Sequence, residues 1–119
     1  MKNILLIDDD KSEYLYFNFL LKDHYKDNFD LSYAATIEEA LVILSEKSIN
    51  VILLDDRLSG GVTSLDTIPQ LNRKAFNVPV VIVSKNTQAG HLKDRIKMGT
   101  HKVADKFNLK EQIAAGLLD

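Results

Sequence analysis

The stretch ILLIDDDKSEY, residues 4–14, runs four apolar residues straight into three consecutive aspartates. A strand alternates its side chains between two faces, so an unbroken apolar run predicts a strand covered on both sides. NVILL (Asn50 to Leu54) and VPVVIV (Val78 to Val83) read the same way, and NILLI (Asn3 to Ile7) is the first of the three. DLSYAA (Asp30 to Ala35) and HKVAD (His101 to Asp105) are more polar and fit strands nearer a sheet edge.

Between these runs the period changes. Tyr14, Phe17, Leu20 and Leu21, and later Ala40, Leu41, Ile43 and Leu44, recur at helical spacing. Thr36 followed by Glu39 marks a helix start as a capping box, each side chain placed to satisfy the other's free backbone N–H. Further helices are expected over Leu65 to Lys74, Ala89 to Lys97 and Leu109 to Leu118. Strand and helix thus alternate five times. Such alternation implies right-handed crossovers and a three-layer α/β sandwich, a parallel sheet with helices on both faces. Chemistry in that class lies beyond the carboxyl ends of the strands.

Composition narrows the function. The 119 residues fit one domain, read here as residues 1–119, and 45% apolar with 27% charged content is that of a globular chain. A net charge of -2 and a pI near 5.9 give no basic footprint for nucleic acid or an anionic membrane. The absence of cysteine excludes disulfides, thiolate metal sites and thiol catalysis. The four apolar residues before the acids are too few for a signal peptide or membrane span, so a cytoplasmic protein is expected.

The residues at the strand ends form the candidate site: Asp8, Asp9 and Asp10, then Asp55 and Asp56, then Ser84 and Lys85, then Lys106. Two carboxylates about 4 Å apart at an effective dielectric near 20 repel by roughly 4 kcal/mol, so a fixed cluster needs a cation or a raised pKa. Hard oxygen donors without His or Cys favour Mg2+. A carboxylate can also act as a nucleophile toward a phosphoryl group when a metal and a lysine offset the charge. Asp55 is placed for that role, Lys106 for pairing with phosphoryl oxygens and Ser84 for donating a hydrogen bond to one. Asp10 equally fits a cap of the first helix, and Ser84 or Lys106 taken singly would be an ordinary cap or a solvated amine. His24, His91 and His101 lack metal-ligand spacing and read as surface residues. No phosphate-loop, dinucleotide, HExxH or GxSxG signature is present, and SGGVTS (Ser59 to Ser64) reads as a mobile loop.

ILLIDDD, VILLDDRL, VPVVIVS and MGTHKVADK, in this order and spacing, make nearly the whole chain resemble the receiver domain of two-component response regulators. The resemblance implies a CheY-like, flavodoxin-like fold: a five-stranded parallel sheet in order 2-1-3-4-5 with five helices. It implies Mg2+ bound by Asp8 and Asp9, Asp9 the more direct ligand, with Asp55 and the backbone carbonyl of Arg57. By the same resemblance Asp55 is the phosphoacceptor, Asp56 a variable position, Ser84 the switch hydroxyl and Lys106, seven residues after Gly99, the phosphate-pairing lysine. The donor would be a sensor histidine kinase or histidine phosphotransfer protein, and the chain would catalyse only its own phosphorylation and dephosphorylation. Docking would use the fourth helix, fifth strand and fifth helix. With no room for an output domain, the chain is either a stand-alone receiver or the amino-terminal part of a longer regulator.

Four departures accompany the resemblance. Val103 stands where the family usually has Tyr or Phe, so an aromatic switch is absent there. Phe107 follows Lys106 where a proline in a cis peptide is usual; a non-proline cis bond costs about 3 to 4 kcal/mol, which bears on the placement of Lys106 and the loop after it. Lys85 replaces a small residue and either obstructs the donor or stabilises the phosphoryl group. Ser59, Gly60 and Gly61 replace a common proline and raise the ordering cost of that loop. Val103, Phe107 and Lys85 define the rival reading, a pseudo-receiver acting as a phosphorylation-independent interaction module. A metal-dependent phosphohydrolase is a third, weakened by the lack of length for a substrate-covering cap.

Overall fold

The computed structural model of the chain describes residues 1–58, 62–75, 77–85 and 102–119. Five strands, β1 (Lys2–Ile7), β2 (Phe29–Ala34), β3 (Val51–Asp55), β4 (Val80–Ser84) and β5 (Lys102–Asp105), form one sheet in the order β2-β1-β3-β4-β5. Every neighbouring pair is parallel. Around it lie α1 (Ser12–Tyr25), α2 (Ile37–Glu46), α3 (Ser64–Ala75) and α4 (Leu109–Ala114).

The apolar runs are explained by what covers each face. Leu5, Ile7, Ile52, Leu54, Val80 and Ile82 pack with Ile37 and Ala40 of α2 and Ile68 and Leu71 of α3. Their neighbours in sequence, Ile4, Leu6, Val51, Leu53, Val81 and Val83, pack with Phe17, Leu20 and Leu21 of α1 and Leu109 and Ile113 of α4. Two cores, one on each side of the sheet, leave no strand face for polar residues in the centre. β4 begins two residues later than its apolar run; Pro79 has no N–H to give to a ladder, and only its carbonyl is used, accepting from Ile52 N–H at 3.0 Å.

The start of α2 follows the expected box with one change. Thr36 Oγ1 accepts the Glu39 N–H at 3.2 Å, but Glu39 Oε2 reaches back to the N–H of Ala35 at 2.7 Å rather than to Thr36.

Two expectations are corrected. Four α-helices, not five, are present among the described residues, and the expected helix over Ala89 to Lys97 lies outside them, as do His91, Gly99 and His101. The last helix stops at Ala114 instead of Leu118. Gly116 adopts φ +94°, a conformation that favours glycine, and Lys102 Nζ donates to the carbonyls of Gly116 at 3.3 Å and Leu117 at 2.8 Å. In the SGGVTS stretch, Val62–Thr63 pairs antiparallel with Arg57–Leu58 and Ser64 already opens α3; residues 59–61 lie outside the described residues. No helix among the described residues is long and apolar enough to cross a membrane.

Candidate functional site

Parallel register brings the strand ends level. Ile7 lies opposite Leu54, Asp55 opposite Val83, and Ser84 opposite Asp105, so the residues just past β1, β3, β4 and β5 share one edge. There one carboxylate oxygen from each of Asp8, Asp9 and Asp55 lies within 4.8 Å of the other two. Asp55 is in the cluster and Asp56, which is 3% exposed, is not.

The three consecutive aspartates take different environments because the chain turns beneath them. Asp8 still donates its N–H to Ala34 O at 3.1 Å, as a strand residue would, and stays buried. Asp9 emerges to solvent. Asp10 Oδ1 accepts the Ser12 N–H at 3.0 Å and the Ser12 hydroxyl at 2.7 Å, an Asx turn that opens α1. Asp10 thus holds the turn leading into α1 and lies outside the carboxylate cluster.

Lys106 occupies the other side of the cluster. Its Nζ lies 3.4 Å from Glu13 Oε1 and 3.8 Å from Asp8 Oδ2, with the lysine side chain 13% exposed. The remaining Asp8 oxygen, Oδ1, accepts the Asp10 N–H at 2.9 Å. Burial pushes the Asp8 carboxyl above its ordinary range, outweighing the Asp10 N–H and Lys106, which act the other way. Burial also opposes the charge on Lys106, yet Asp55, Asp8 and Glu13 together hold its pKa above the ordinary value.

Ser84 ends β4 as a buried residue, 5% exposed. Arg57 lies two residues past Asp55, where its backbone pairs with Thr63 in the short ladder. The turn after β5 accommodates Phe107 without a proline: the Lys106–Phe107 peptide is trans, and the Phe107 N–H that a proline would lack is accepted by Asp105 Oδ1 at 2.9 Å. A 3-10 turn, Lys106–Asn108, follows and leaves Phe107 77% exposed. Val103 is partly buried against the core on the α2 and α3 side, and His24 is exposed as expected.

Three contributors were not anticipated from sequence. Glu13 shares Lys106 with Asp8, and a first-turn acid five residues after Asp8 was the available signal. Asp105 caps the turn after Lys106, a local D-x-F pattern. Tyr33 donates its hydroxyl to the Asp8 carbonyl at 2.6 Å and packs edge-on against Tyr14, ring centroids 5.8 Å apart. No local pattern marks it, since the contact exists only because β2 lies beside β1. Tyr33→Phe is expected to cost about 1 kcal/mol, the net value of one partly buried hydrogen bond. Urea unfolding with an unchanged slope would measure it.

The donor set fits a hard divalent cation: carboxylate oxygens only, three within reach of one ion, one buried and one open to solvent. Asp8 and Asp9 at the end of β1 and Asp55 at the end of β3 would hold it.

A sequence profile of the response regulator receiver domain matches residues 4–117. An NtrX-like response regulator of Rickettsia felis is 31% identical over 108 residues, 89% of this chain but 22% of that protein. Its counterpart in Rickettsia bellii is 29% identical over the same shares. The chain therefore spans about a fifth of the length of the curated relatives it matches. Among solved structures, the receiver domain of the sensor histidine kinase PA1611 from Pseudomonas aeruginosa, with a magnesium ion in its active-site cleft, superimposes with a TM-score of 0.80 at 16% identity, over 98% of this chain and 93% of that one. The chemotaxis protein CheY4 of Vibrio cholerae gives 0.82 at 18% identity, over 98% and 96%.

Proposed function

Since the chain belongs to the response regulator receiver domain family, we propose that it accepts a phosphoryl group on Asp55 in an Mg2+-dependent reaction and thereby switches a protein-docking face. Family membership classes it as a signalling module rather than an enzyme acting on an external substrate. The observation that carries the phosphoacceptor reading is the meeting of Asp8, Asp9 and Asp55 within 4.8 Å, with Lys106 on the adjoining side.

In this reading Asp8, Asp9 and Asp55, with the Arg57 carbonyl, hold Mg2+. The ion, when bound, supplies positive charge against the phosphoryl oxygens. An Asp55 carboxylate oxygen bonds to phosphorus as the N–P bond of a phosphohistidine breaks, and the imidazole nitrogen keeps the bonding pair and takes a proton from water. The donor is a sensor histidine kinase or a histidine phosphotransfer protein.

Lys106 is engaged by Glu13 and Asp8 at 3.4 and 3.8 Å, so pairing with a phosphoryl oxygen means giving up part of that engagement. Ser84 is buried one register step beyond Asp55 and has to present its hydroxyl to another oxygen. Those two exchanges are the local events that bias the domain between two states.

The test is intact mass after incubation with Mg2+ and acetyl phosphate, beside a sample in excess chelator. A gain of one phosphoryl group only with metal supports the reading. No gain, either from acetyl phosphate or from a phosphorylated histidine protein, would favour the interaction module, to which the 77% exposed Phe107 beside the site would then belong.

A further inference from the structure

A groove of about 270 Å3 opens beside the carboxylate cluster, lined by Ser12, Glu13, Tyr16, Lys85, Lys106 and Phe107. Liquid water occupies about 30 Å3 per molecule, so the groove has room for a small acyl phosphate. Its two lysines differ in circumstance. Lys106 is mostly buried and held between Glu13 and Asp8, whereas Lys85, one residue past Ser84, is exposed. Both lysines line the groove beside Ser12 and Glu13 at the start of α1.

We infer that Lys85 is a donor-binding residue: its ammonium receives the anionic phosphoryl end of an incoming phosphodonor in this groove and delivers it toward Asp55. A side chain that blocked the groove would have to be packed across its opening, whereas Lys85 is exposed on a four-carbon stem. Lys106 cannot do the receiving without leaving its carboxylates. With acetyl phosphate, the bond between the acyl oxygen and phosphorus breaks as the Asp55 oxygen bonds to phosphorus, and acetate leaves with the bonding pair, needing no proton at neutral pH. The inference rests on the phosphoacceptor reading of Asp55.

The experiment compares initial rates of phosphoryl gain from acetyl phosphate in the wild type, Lys85→Ala, Lys85→Met and Lys85→Arg, across ionic strength, with Mg2+ affinity measured for each. Lys85→Met keeps the bulk and removes the charge; Lys85→Arg keeps the charge. Lys85→Ala and Lys85→Met are expected to be slower by about threefold to tenfold at low salt, the effect of one screened charge near a dianion, with a flatter salt dependence and unchanged Mg2+ affinity. Lys85→Arg is expected to stay near the wild type. A Lys85→Met rate equal to the wild type, or a faster Lys85→Ala, would overturn the inference and leave Asp55 as acceptor untouched. A wild type that gains no phosphoryl group from acetyl phosphate would overturn the inference, and only failure with a phosphorylated histidine protein as well would overturn the acceptor reading.

Discussion

Asp55→Asn is expected to abolish phosphoryl gain from acetyl phosphate and Mg2+ while leaving the fold intact, and to raise stability in the absence of divalent cations by about 1 to 2 kcal/mol. The first effect follows from the loss of the nucleophilic oxygen, since an amide oxygen does not form a stable acyl phosphate. The second follows from crowding. Asp55 shares a volume less than 5 Å across with Asp8 and Asp9, and each carboxylate pair at such spacing repels by about 3 to 4 kcal/mol at an effective dielectric near 20, part of which Lys106 offsets. Removing one member relieves the remainder. Intact mass checks the first effect and urea unfolding with and without Mg2+ the second. Undiminished phosphoryl gain in Asp55→Asn would move the acceptor to a neighbour such as Asp56, and a loss of apo stability would contradict the crowding.

Lys106→Gln is expected to act in the opposite direction on stability. It leaves Asp8, Glu13 and Asp55 without the ammonium they share, at a cost of about 2 to 3 kcal/mol near pH 7 for an incompletely buried pair. It is also expected to slow phosphoryl gain by at least about tenfold, as loss of a charge-stabilising group does. The pH dependence has a definite sign. Lys106 has a folded pKa above its ordinary 10.5, so its contribution is fully present below pH 10.5 and is lost as pH rises through the folded value. Lys106→Gln should therefore lose the alkaline fall in stability that the wild type shows above that pH. Asp8, whose pKa is raised, contributes stability that is present below its ordinary 3.8 and lost as pH rises through the folded value, so its ionised form burdens the fold at neutral pH. Without Lys106 that burden grows, and the gap between variant and wild type should narrow as pH falls toward the carboxylate range. Unfolding midpoints between pH 4 and 11 test both limbs. A gap independent of pH would refute the charge-sharing explanation.

The central strands were legible because burial on both faces demands unbroken apolar runs, and NILLI, NVILL and VPVVIV have them. Their edges were less so: β4 waits for Pro79 to pass, and β3 extends to Asp55 because that residue still pairs with Val83. The end of α4 is local: Gly116 takes the left-handed conformation, its N–H returns to Ile113 O and that of Leu117 to Gln112 O, a glycine cap that the apolar spacing through Leu118 masks. Asp8, Asp9, Asp55 and Lys106 were legible as a set because strand-end position in a parallel α/β sheet determines where residues meet. The role of Asp10 was ambiguous, since both readings ask for an acid there, and Ser12 two residues on decided it. Tyr33 and Glu13 could not be assigned before strand order and helix entry were known, because each reaches the site from a different element.

Whether Asp55 takes the phosphoryl group is measured most directly by treating the phosphorylated chain with borohydride and mapping the peptides by mass. Hydride converts an acyl phosphate to the alcohol, marking the residue that carried it. A mark at position 55, absent when Mg2+ is chelated, is the expected result; a mark at position 56 or at any other carboxylate, or a mark that forms equally well without metal, would contradict it.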